Sequence, residues 1–466
     1  MADGDQPATD DRLLRRGPLW AVLAMGLPLA IGIASHGLIN LVDLALVGQL
    51  GPDAILAAHV ASTWNFLPML LGQCVSTALL ARLAQRLGRG DVDGARRLHL
   101  AAERQMLWLA LWVGLATALP AAWQVDACGL VGAARADAIH YLVVANLGCL
   151  PMFVLMQTTA AMRACGEAAL PLLLLLLANG LNLLLDVLLL FGWPAVGLPS
   201  CGPVGAAYAT VAARAVAAFV AWRWLLRRQH RLSLRAVPAG PAERLGGALL
   251  VDAWPLVAQI GLRALPVLGL TALLQRLGSG AEAVAFGIAT RWDTVLLFGS
   301  LGFANAATAY VARAVAAGQR RNAVLAGWVA ALAAMGFSAS ILLACQAAAA
   351  PIAGWFAAVP DPEVAAAFAA YLATAGWSQV LGAGALAAVG ALHGAGRLRL
   401  PLVADLLGFV WLGACWWWLA VDATVLEPTY RALVVGAAGL LVVHLLVVSG
   451  GWWVSKWRPP HPAVLP

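Results

Sequence analysis

The chain has 466 residues, of which 62% are hydrophobic and only 11% are charged. Soluble domains carry about 25% charged residues, so this composition excludes a water-soluble globule and predicts a helical membrane protein. The 47 glycines and 24 prolines fit that class, because neighbouring helices in a membrane satisfy the backbone groups that these residues free. Twelve helices of about 20 residues would use roughly half of the chain. Too little then remains for a sizeable soluble catalytic domain, so we expect no enzyme and no cofactor.

Apolar segments separated by charges, glycine and proline predict twelve membrane spans. The first six are residues 19–46, 54–80, 105–126, 138–161, 169–193 and 204–226. The second six are residues 249–275, 283–311, 323–348, 364–391, 400–421 and 431–454. The first span is too long for a removable signal peptide and has no small-residue cleavage site, so we expect a true membrane helix there.

The net charge of +7 could indicate either nucleic-acid binding or membrane topology. Most of the 29 basic residues lie in alternate loops or at the two ends, as Arg15, Arg82, Arg227 and Arg397 do. The positive-inside rule then places both termini in the cytoplasm and explains the charge without nucleic acid. One lysine and abundant alanine fit a GC-rich bacterial genome and hence a bacterial cytoplasmic membrane. The seven scattered cysteines form no metal-binding or disulfide pattern.

The longest polar interruption, residues 227–248, predicts a cytoplasmic linker between two halves, residues 1–226 and 249–466. An offset of 227 residues pairs Pro28 with Pro255, and an offset of 230 pairs Tyr141 with Tyr371. Such matches indicate an internal repeat. Six helices per copy give both copies the same orientation, so the expected fold is an all-α membrane protein with two six-helix lobes. They would be related by a pseudo-twofold axis along the membrane normal, a design typical of transporters.

Charged residues are costly inside a membrane, so each one is a functional hypothesis. Asn179, Asn182 and Asp186 share one face of the fifth span because their spacing is i, i+3, i+7. Since burial favours the neutral form of a carboxyl group, Asp186 is predicted to take up a proton. Asn179 alone could equally be an interhelical hydrogen-bonding residue.

Similar depth in the membrane groups further residues of the first half with Asp186. Asp43, Tyr141 and Thr210 all lie in the outer parts of their spans, so all could line one pocket. An interfacial position for Tyr141 and a hydroxyl bonded to its own helix for Thr210 are the alternatives. His36, two turns before Asp43, is interpreted as a packed core residue.

The second half lacks equivalent acids, because Asp43 corresponds to Leu270, Asn182 to Leu412 and Asp186 to Trp416. The ionisable pocket is therefore expected in the first half only. Two carboxyl groups in one pocket would titrate as a coupled pair that shares a proton or a small cation.

The second half has its own polar residues, and a structural ion network is the favoured interpretation. Arg291 and Asp293 are two residues apart and do not face each other, so Arg263 is the predicted partner of Asp293. Gln259, Asn305 and Gln379 could line a cavity. Asp405 lies near the start of its span and could reach the cytoplasmic surface.

Several motifs together resemble the multidrug and toxic compound extrusion (MATE) family, in particular its DinF-like branch. They are LPLAIG in the first span, followed by NLVDLALVGQLGPDAILAAH at 40–59, NGLNLLLD in the fifth span, and RACG at 163–166, matched by HGAG at 393–396. The NorM-like branch also has acids in the seventh and tenth helices, and the corresponding stretches IGLRALPVLG and ATAGWSQVLG have none. The resemblance covers nearly the whole chain.

The resemblance implies an antiporter that exports organic, often cationic or amphipathic compounds in exchange for protons or sodium. Asp43, Tyr141, Asn182, Asp186 and Thr210 match the coupling residues of DinF-like members. Pro28 matches a proline proposed to bend the first helix. A sodium ion at Asp43, Asn182 and Asp186 is the alternative to a proton.

We expect a monomer whose partners are a small-molecule substrate and the lipid bilayer. The remaining alternative is a flippase of a lipid-linked or amphipathic molecule on the same fold, which would need a strongly basic cavity. Arg263 and Arg291 are its only candidates for such a cavity. An intramembrane enzyme is disfavoured because H-E-x-x-H, G-x-S-x-G and paired D-x-x-x-D motifs are absent.

Overall fold

The structure is a computed structural model. It describes residues 12–194, 197, 199–227, 230–233, 235, 237, 245, 247–277, 280–356, 362–419 and 426–450. The predicted linker at 227–248 therefore lies partly outside the described residues.

Every predicted span of the first half coincides with a helix or a pair of helices. The short first helix, α1, is Arg12–Arg15. The rest are α2 (Gly17–Gly48), α3 (Pro52–Gly88), α4 (Val92–Ala118), α5 (Ala121–Asp126), α6 (Gly132–Leu147), α7 (Cys149–Ala164), α8 (Ala169–Phe191) and α9 (Val204–Leu225).

The second half follows the same order. Its helices are α10 (Ala248–Leu277), α11 (Gly280–Ala316), α12 (Arg320–Ala347), α13 (Ala349–Phe356), α14 (Pro362–Ala373), α15 (Gly376–Gly394), α16 (Arg399–Leu419) and α17 (Leu426–Gly450). The described part of the chain is thus helical in every predicted span.

The helices have the length and composition that a bilayer requires. Within the described residues, seven helices are long and apolar enough to cross a membrane, and two bent helix pairs raise the number to nine. Large apolar side chains face outward, and Trp108, Trp112 and Leu446 are each more than 60% exposed. Outward apolar surface on so many helices is what lipid contact demands. The chain is a multi-pass helical membrane protein.

Two predicted spans are broken by a bend. The helices α6 and α7 meet at 41°, and α14 and α15 meet at 40°. The span 138–161 is therefore not one straight helix, and neither is the span 364–391. Aligned at the 230-residue offset, the two breaks lie within one helical turn of each other.

Two compact units divide the chain differently from the predicted lobes. The first contains residues up to Ala30, Ala84–Gly90 and the chain from Ala258 onward, and the second contains Ile31–Leu83 and Asp91–Val257. The helices α2, α3 and α10 each contribute to both units. The lobe boundaries at 226 and 249 stay a prediction.

Inside the first unit, α11 and α15 pack with their backbones in close contact. A Cβ atom on Gly390 would overlap the backbone of Ala304, and one on Gly394 would overlap that of Thr308. Thr308 Oγ1 donates a hydrogen bond to the Gly390 carbonyl at 2.9 Å. Small residues at a helix crossing allow such an approach, which drives helix association where lipid supplies no hydrophobic force.

Inside the second unit, the described part of the linker packs against the start of α4. Leu232 and Ser233 are fully buried. The Leu232 carbonyl lies 3.3 Å from Nδ1 of His99, and Arg96 Nε donates to the Arg231 carbonyl at 2.9 Å. This stretch is thus docked rather than a free surface loop.

Candidate functional site

The polar face predicted for the fifth span is present on α8. Asn179, Asn182 and Asp186 are all buried, and Asp186 is 0% exposed. Asn182 Nδ2 donates a hydrogen bond to Asp186 Oδ2 at 2.7 Å, one helical turn away. The i, i+4 spacing of the two residues is what permits this bond.

Asp43 of α2 lies beside Asp186 of α8. The two carboxyl groups interact directly with one another. Oδ1 of Asp43 and Oδ1 of Asp186 are both buried, and neither accepts a hydrogen bond from the described residues. Two buried carboxyl groups in direct contact repel each other when both are ionised, so a proton or a cation between them is favourable.

Tyr141 of α6 completes one side of this pair. Its ring packs against a small apolar cluster that includes Val47, Leu190 and Ala206. Its hydroxyl is close enough to interact electrostatically with both Asp43 and Asp186. Tyr141 therefore interacts with the carboxyl pair through its polar end and packs in the apolar cluster through its ring.

Thr210 and Arg214 lie one turn apart on the same face of α9. Arg214 interacts electrostatically with Asp43 and Tyr141. Within the described residues its hydrogen bond goes from Nη1 to the sulfur of Met152 at 3.3 Å, and sulfur is a weak acceptor. Arg214 was given no role from the sequence, although its position four residues after Thr210 puts it on the same helical face.

Asn179 makes a different set of contacts from Asn182. Its Nδ2 donates to Ser35 Oγ at 3.0 Å, and its Oδ1 lies 3.2 Å from Nδ1 of His36. Both partners belong to α2, so Asn179 joins α8 to α2 by hydrogen bonds. His36 is part of this polar contact between two helices and not only a packed core residue.

Pro28 lies inside α2, which continues through it as one helix from Gly17 to Gly48. Proline removes one backbone hydrogen bond from a helix interior and weakens the helix locally. Pro28 lies two residues before Ala30, the last residue of α2 that belongs to the first compact unit.

The second half contains a cavity of about 400 Å³. Asp293 of α11 lines it, and its Oδ2 accepts hydrogen bonds from the Tyr371 hydroxyl at 2.6 Å and from Gln379 Nε2 at 3.1 Å. The expectation that Gln379 lines a cavity is met by this geometry.

Arg263 does not pair with Asp293, contrary to the prediction from sequence. Its guanidinium binds Asp405 of α16, with Nη2 2.8 Å from Oδ1 and Nε 3.2 Å from Oδ2. The Asp405 side chain is buried, so it does not reach the membrane surface as expected. Arg263 is the cation paired with the buried carboxylate of Asp405. The neutral donors Tyr371 and Gln379 bind the carboxyl group of Asp293 instead.

Three other predicted residues lie outside the lining of this cavity. Gln259 is buried and its Nε2 donates to the Leu398 carbonyl at 3.2 Å, so it joins α10 to the start of α16. Arg291 is not among the residues that line the cavity. Asn305 is buried on α11 and also lies outside the lining.

The chain matches a known protein family. The MatE family model matches residues 28–188 and 268–417, which is more than half of the chain. The chain belongs to the MatE family. The matched segments of this MatE protein include Pro28, Asp43, Tyr141, Asn182, Asp186 and Asp293.

Bacterial relatives of this MatE protein carry the name "Probable multidrug resistance protein NorM". The protein of Bradyrhizobium diazoefficiens is 32% identical over 62% of this chain, and that of Deinococcus radiodurans is 28% identical over 84% of it. These matches cover 62% and 86% of the two relatives. This chain matches 40% of the length of the Agrobacterium fabrum protein, 62% of the Bradyrhizobium diazoefficiens protein and 63% of the Rhizobium meliloti protein.

Solved structures confirm the fold of this MatE protein. A MATE transporter in its straight conformation gives a TM-score of 0.85, with 20% identity, over 98% of this chain and 100% of that chain. A MATE transporter in its bent conformation gives 0.81, with 20% identity, over 97% of this chain and 99% of that chain. Assignment to the DinF-like branch stays a prediction based on the residues of α2, α6 and α8.

Proposed function

We propose that this MatE protein is a secondary active exporter of organic, cationic or amphipathic compounds in a bacterial cytoplasmic membrane. Protons or sodium ions moving inward would drive export, with Asp43 and Asp186 as the coupling pair. The relatives named as multidrug resistance proteins support the export of drugs. Family membership also supports a transporter rather than an enzyme.

The contact between the two carboxyl groups is the observation that carries this proposal. In the loaded state a proton, or a sodium ion also bound by Asn182, lies between Asp43 and Asp186. In the unloaded state the pair is negatively charged and favours a cationic substrate nearby. Loading and substrate therefore favour different states, which is the condition for coupling.

Tyr141, Thr210 and Arg214 support the pair in this scheme. The Tyr141 hydroxyl can donate to whichever carboxylate is ionised, and Thr210 adds a second hydroxyl. The Arg214 guanidinium lowers the cost of the unloaded pair, because a cation nearby offsets like-charge repulsion. We take the proton as the coupling ion in the experiment below, with sodium as its alternative.

Proton release from purified protein tests the proposal. Adding tetraphenylphosphonium to the parent protein in weak buffer should release protons, and Asp43→Asn and Asp186→Asn should each abolish the release. Asp53→Asn, a change at an exposed position at the start of α3, is the matched control and should behave as the parent.

Binding of the cation without proton release, and without competition from sodium, would contradict the antiporter. The flippase would then become the better hypothesis. Competition by sodium without proton release would keep the antiporter and change its coupling ion.

A further inference from the structure

The cavity of the second half has two separate polar clusters. The acidic cluster is Asp293 with its donors Tyr371 and Gln379, and the basic cluster is Arg263 with its partner Asp405. The rest of the lining is largely apolar, including Leu262, Phe286, Leu297, Phe409, Leu433 and Leu440. Its volume of about 400 Å³ lies within the ~300–1,000 Å³ range typical of ligand pockets.

The acidic cluster has capacity for a cation. Both donors bind Oδ2 of Asp293, and within the described residues no donor binds Oδ1. An ionised carboxylate has about four acceptor positions. A protonated amine brought to Oδ1 would therefore find an anion whose other oxygen is already held in place by Tyr371 and Gln379.

The basic cluster has capacity for an anion. A guanidinium has five N–H donors, and Asp405 binds only Nε and Nη2 of Arg263. Within the described residues Nη1 has no acceptor, and the Arg263 side chain is 23% exposed. His444 Nε2 also lies 3.5 Å from Asp405 Oδ1. A carboxylate ligand could bind Nη1 without breaking the pair with Asp405.

We propose that this cavity is a second ligand site for amphipathic zwitterions, with the ligand amine at Asp293 and the ligand carboxylate at Arg263. The apolar lining would hold the body of the molecule between them. This rests on the proposed export function, because it names a class of compound that the protein would carry. The site is independent of Asp43 and Asp186, since its lining comes entirely from residues 262–440.

A pair of dyes separates the two charges. Rhodamine 110 has a free carboxylate and is a zwitterion, whereas rhodamine 123 is its methyl ester and carries only the positive charge. Binding to the purified full chain is measured by fluorescence anisotropy without any ion gradient. The parent should bind rhodamine 110 at least about tenfold more tightly, because its carboxylate can accept a charge-assisted hydrogen bond from Arg263 that the methyl ester cannot match.

Variants then assign each charge to a residue. Asp293→Asn should weaken both dyes about tenfold. The double variant Arg263→Gln with Asp405→Asn removes the cation without leaving a buried unpaired carboxylate, and it should abolish only the preference for rhodamine 110. Arg291→Gln, on the same helix as Asp293 but outside the lining, should change neither affinity.

Equal affinity of the parent for both dyes would overturn the inference. So would a preference that survives in the double variant, or Asp293→Asn binding as the parent does. A failure of the proposed export function is detected separately, by the proton-release test on Asp43 and Asp186. Dye preference without proton release would retain the site and reject the coupling.

Discussion

Asn179 and Asn182 are the same residue type on one face of α8, yet their amides have different partners. Asn179 bonds to Ser35 and His36 of the neighbouring helix. Asn182 donates within its own helix to a carboxylate of the candidate coupling pair. The first arrangement holds two helices together, and the second stabilises one oxygen of Asp186. The two asparagines should therefore fail in different ways when replaced.

Asn179→Leu should destabilise the protein without uncoupling it. Loss of the hydrogen bonds to α2 should cost on the order of 1 kcal/mol, the usual scale for interhelical bonds in membranes. Thermal denaturation in detergent measures this loss, and substrate-induced proton release should stay as in the parent. Asn182→Leu is the matched comparison and should reduce proton release, because Asp186 loses its donor. The reverse pattern would contradict both roles.

At this scale, residue type and helical spacing predicted much of the first-half site. Asp186 and Asn182 lie together because they are four residues apart, which the sequence states directly. The partner of Arg263 could not be read in the same way, because Asp293 and Asp405 lie on other helices and spacing along one helix does not show contacts between helices. The pairing of Arg263 with Asp405 depends on the burial of Asp405 and on the donors Tyr371 and Gln379 at Asp293. These are features of the tertiary structure. Arg214 was missed because its spacing from Thr210 gives its helical face but does not show which groups of other helices it meets.

The crossing of α11 and α15 shows how helices in this protein approach each other. Gly390 and Gly394 leave room for the backbone of α11, and Thr308 donates across the gap to the Gly390 carbonyl. Neither helix could come this close with larger residues at those positions.

Gly390→Ala should therefore destabilise the protein by about 1–3 kcal/mol, the usual cost of overpacking. The added methyl group would meet backbone atoms of Ala304, which cannot move aside as a flexible side chain could. Gly336→Ala on α12 is the control, because no atom lies within 4 Å of its added methyl group. Chemical denaturation of both variants measures the difference. A loss in the control as large as that in Gly390→Ala would show that helix glycine content, not the crossing, matters.

The helix bends were not predicted, although their local causes can be named. Pro151 lies in the first turn of α7, where a missing N–H costs least and the preceding helix must end. Before α15, the Thr374 hydroxyl donates to the Ala370 carbonyl at 2.7 Å, a bond that competes with regular helix hydrogen bonding. Hydropathy is continuous across both breaks, so apolar length alone predicted single spans.

For the whole molecule, the order and the positions of the helices along the chain were predictable, and the grouping of helices was not. Apolar runs fix where helices lie because a bilayer requires each span to satisfy its own backbone. Nothing in the chain order indicates that the start of α2 and the end of α3 cluster with the second half. That grouping depends on contacts between residues distant in sequence, such as Gln85 Nε2 donating to the Gly394 carbonyl at 2.9 Å.

Pro28 lies on α2, the helix that contributes to both compact units and that carries Asp43 of the proposed coupling pair. Pro28→Ala restores a backbone N–H to α2 and should stiffen the helix. We expect tetraphenylphosphonium affinity to change little and turnover in proteoliposomes to fall about tenfold. Pro68→Ala, a second proline inside a helix but on α3, is the control and should retain turnover. Equal loss in both variants would contradict a special role for Pro28.

The bends at α6–α7 and α14–α15 also bear on how force passes along these two spans. The helices of the first pair meet at 41° and those of the second pair at 40°. Pro151 lies just after the first bend, and Thr374 lies at the second. Each span is thus two short arms, and each arm satisfies its own backbone hydrogen bonds. A force on one arm can therefore be absorbed at the bend without breaking the backbone hydrogen bonds of the other arm.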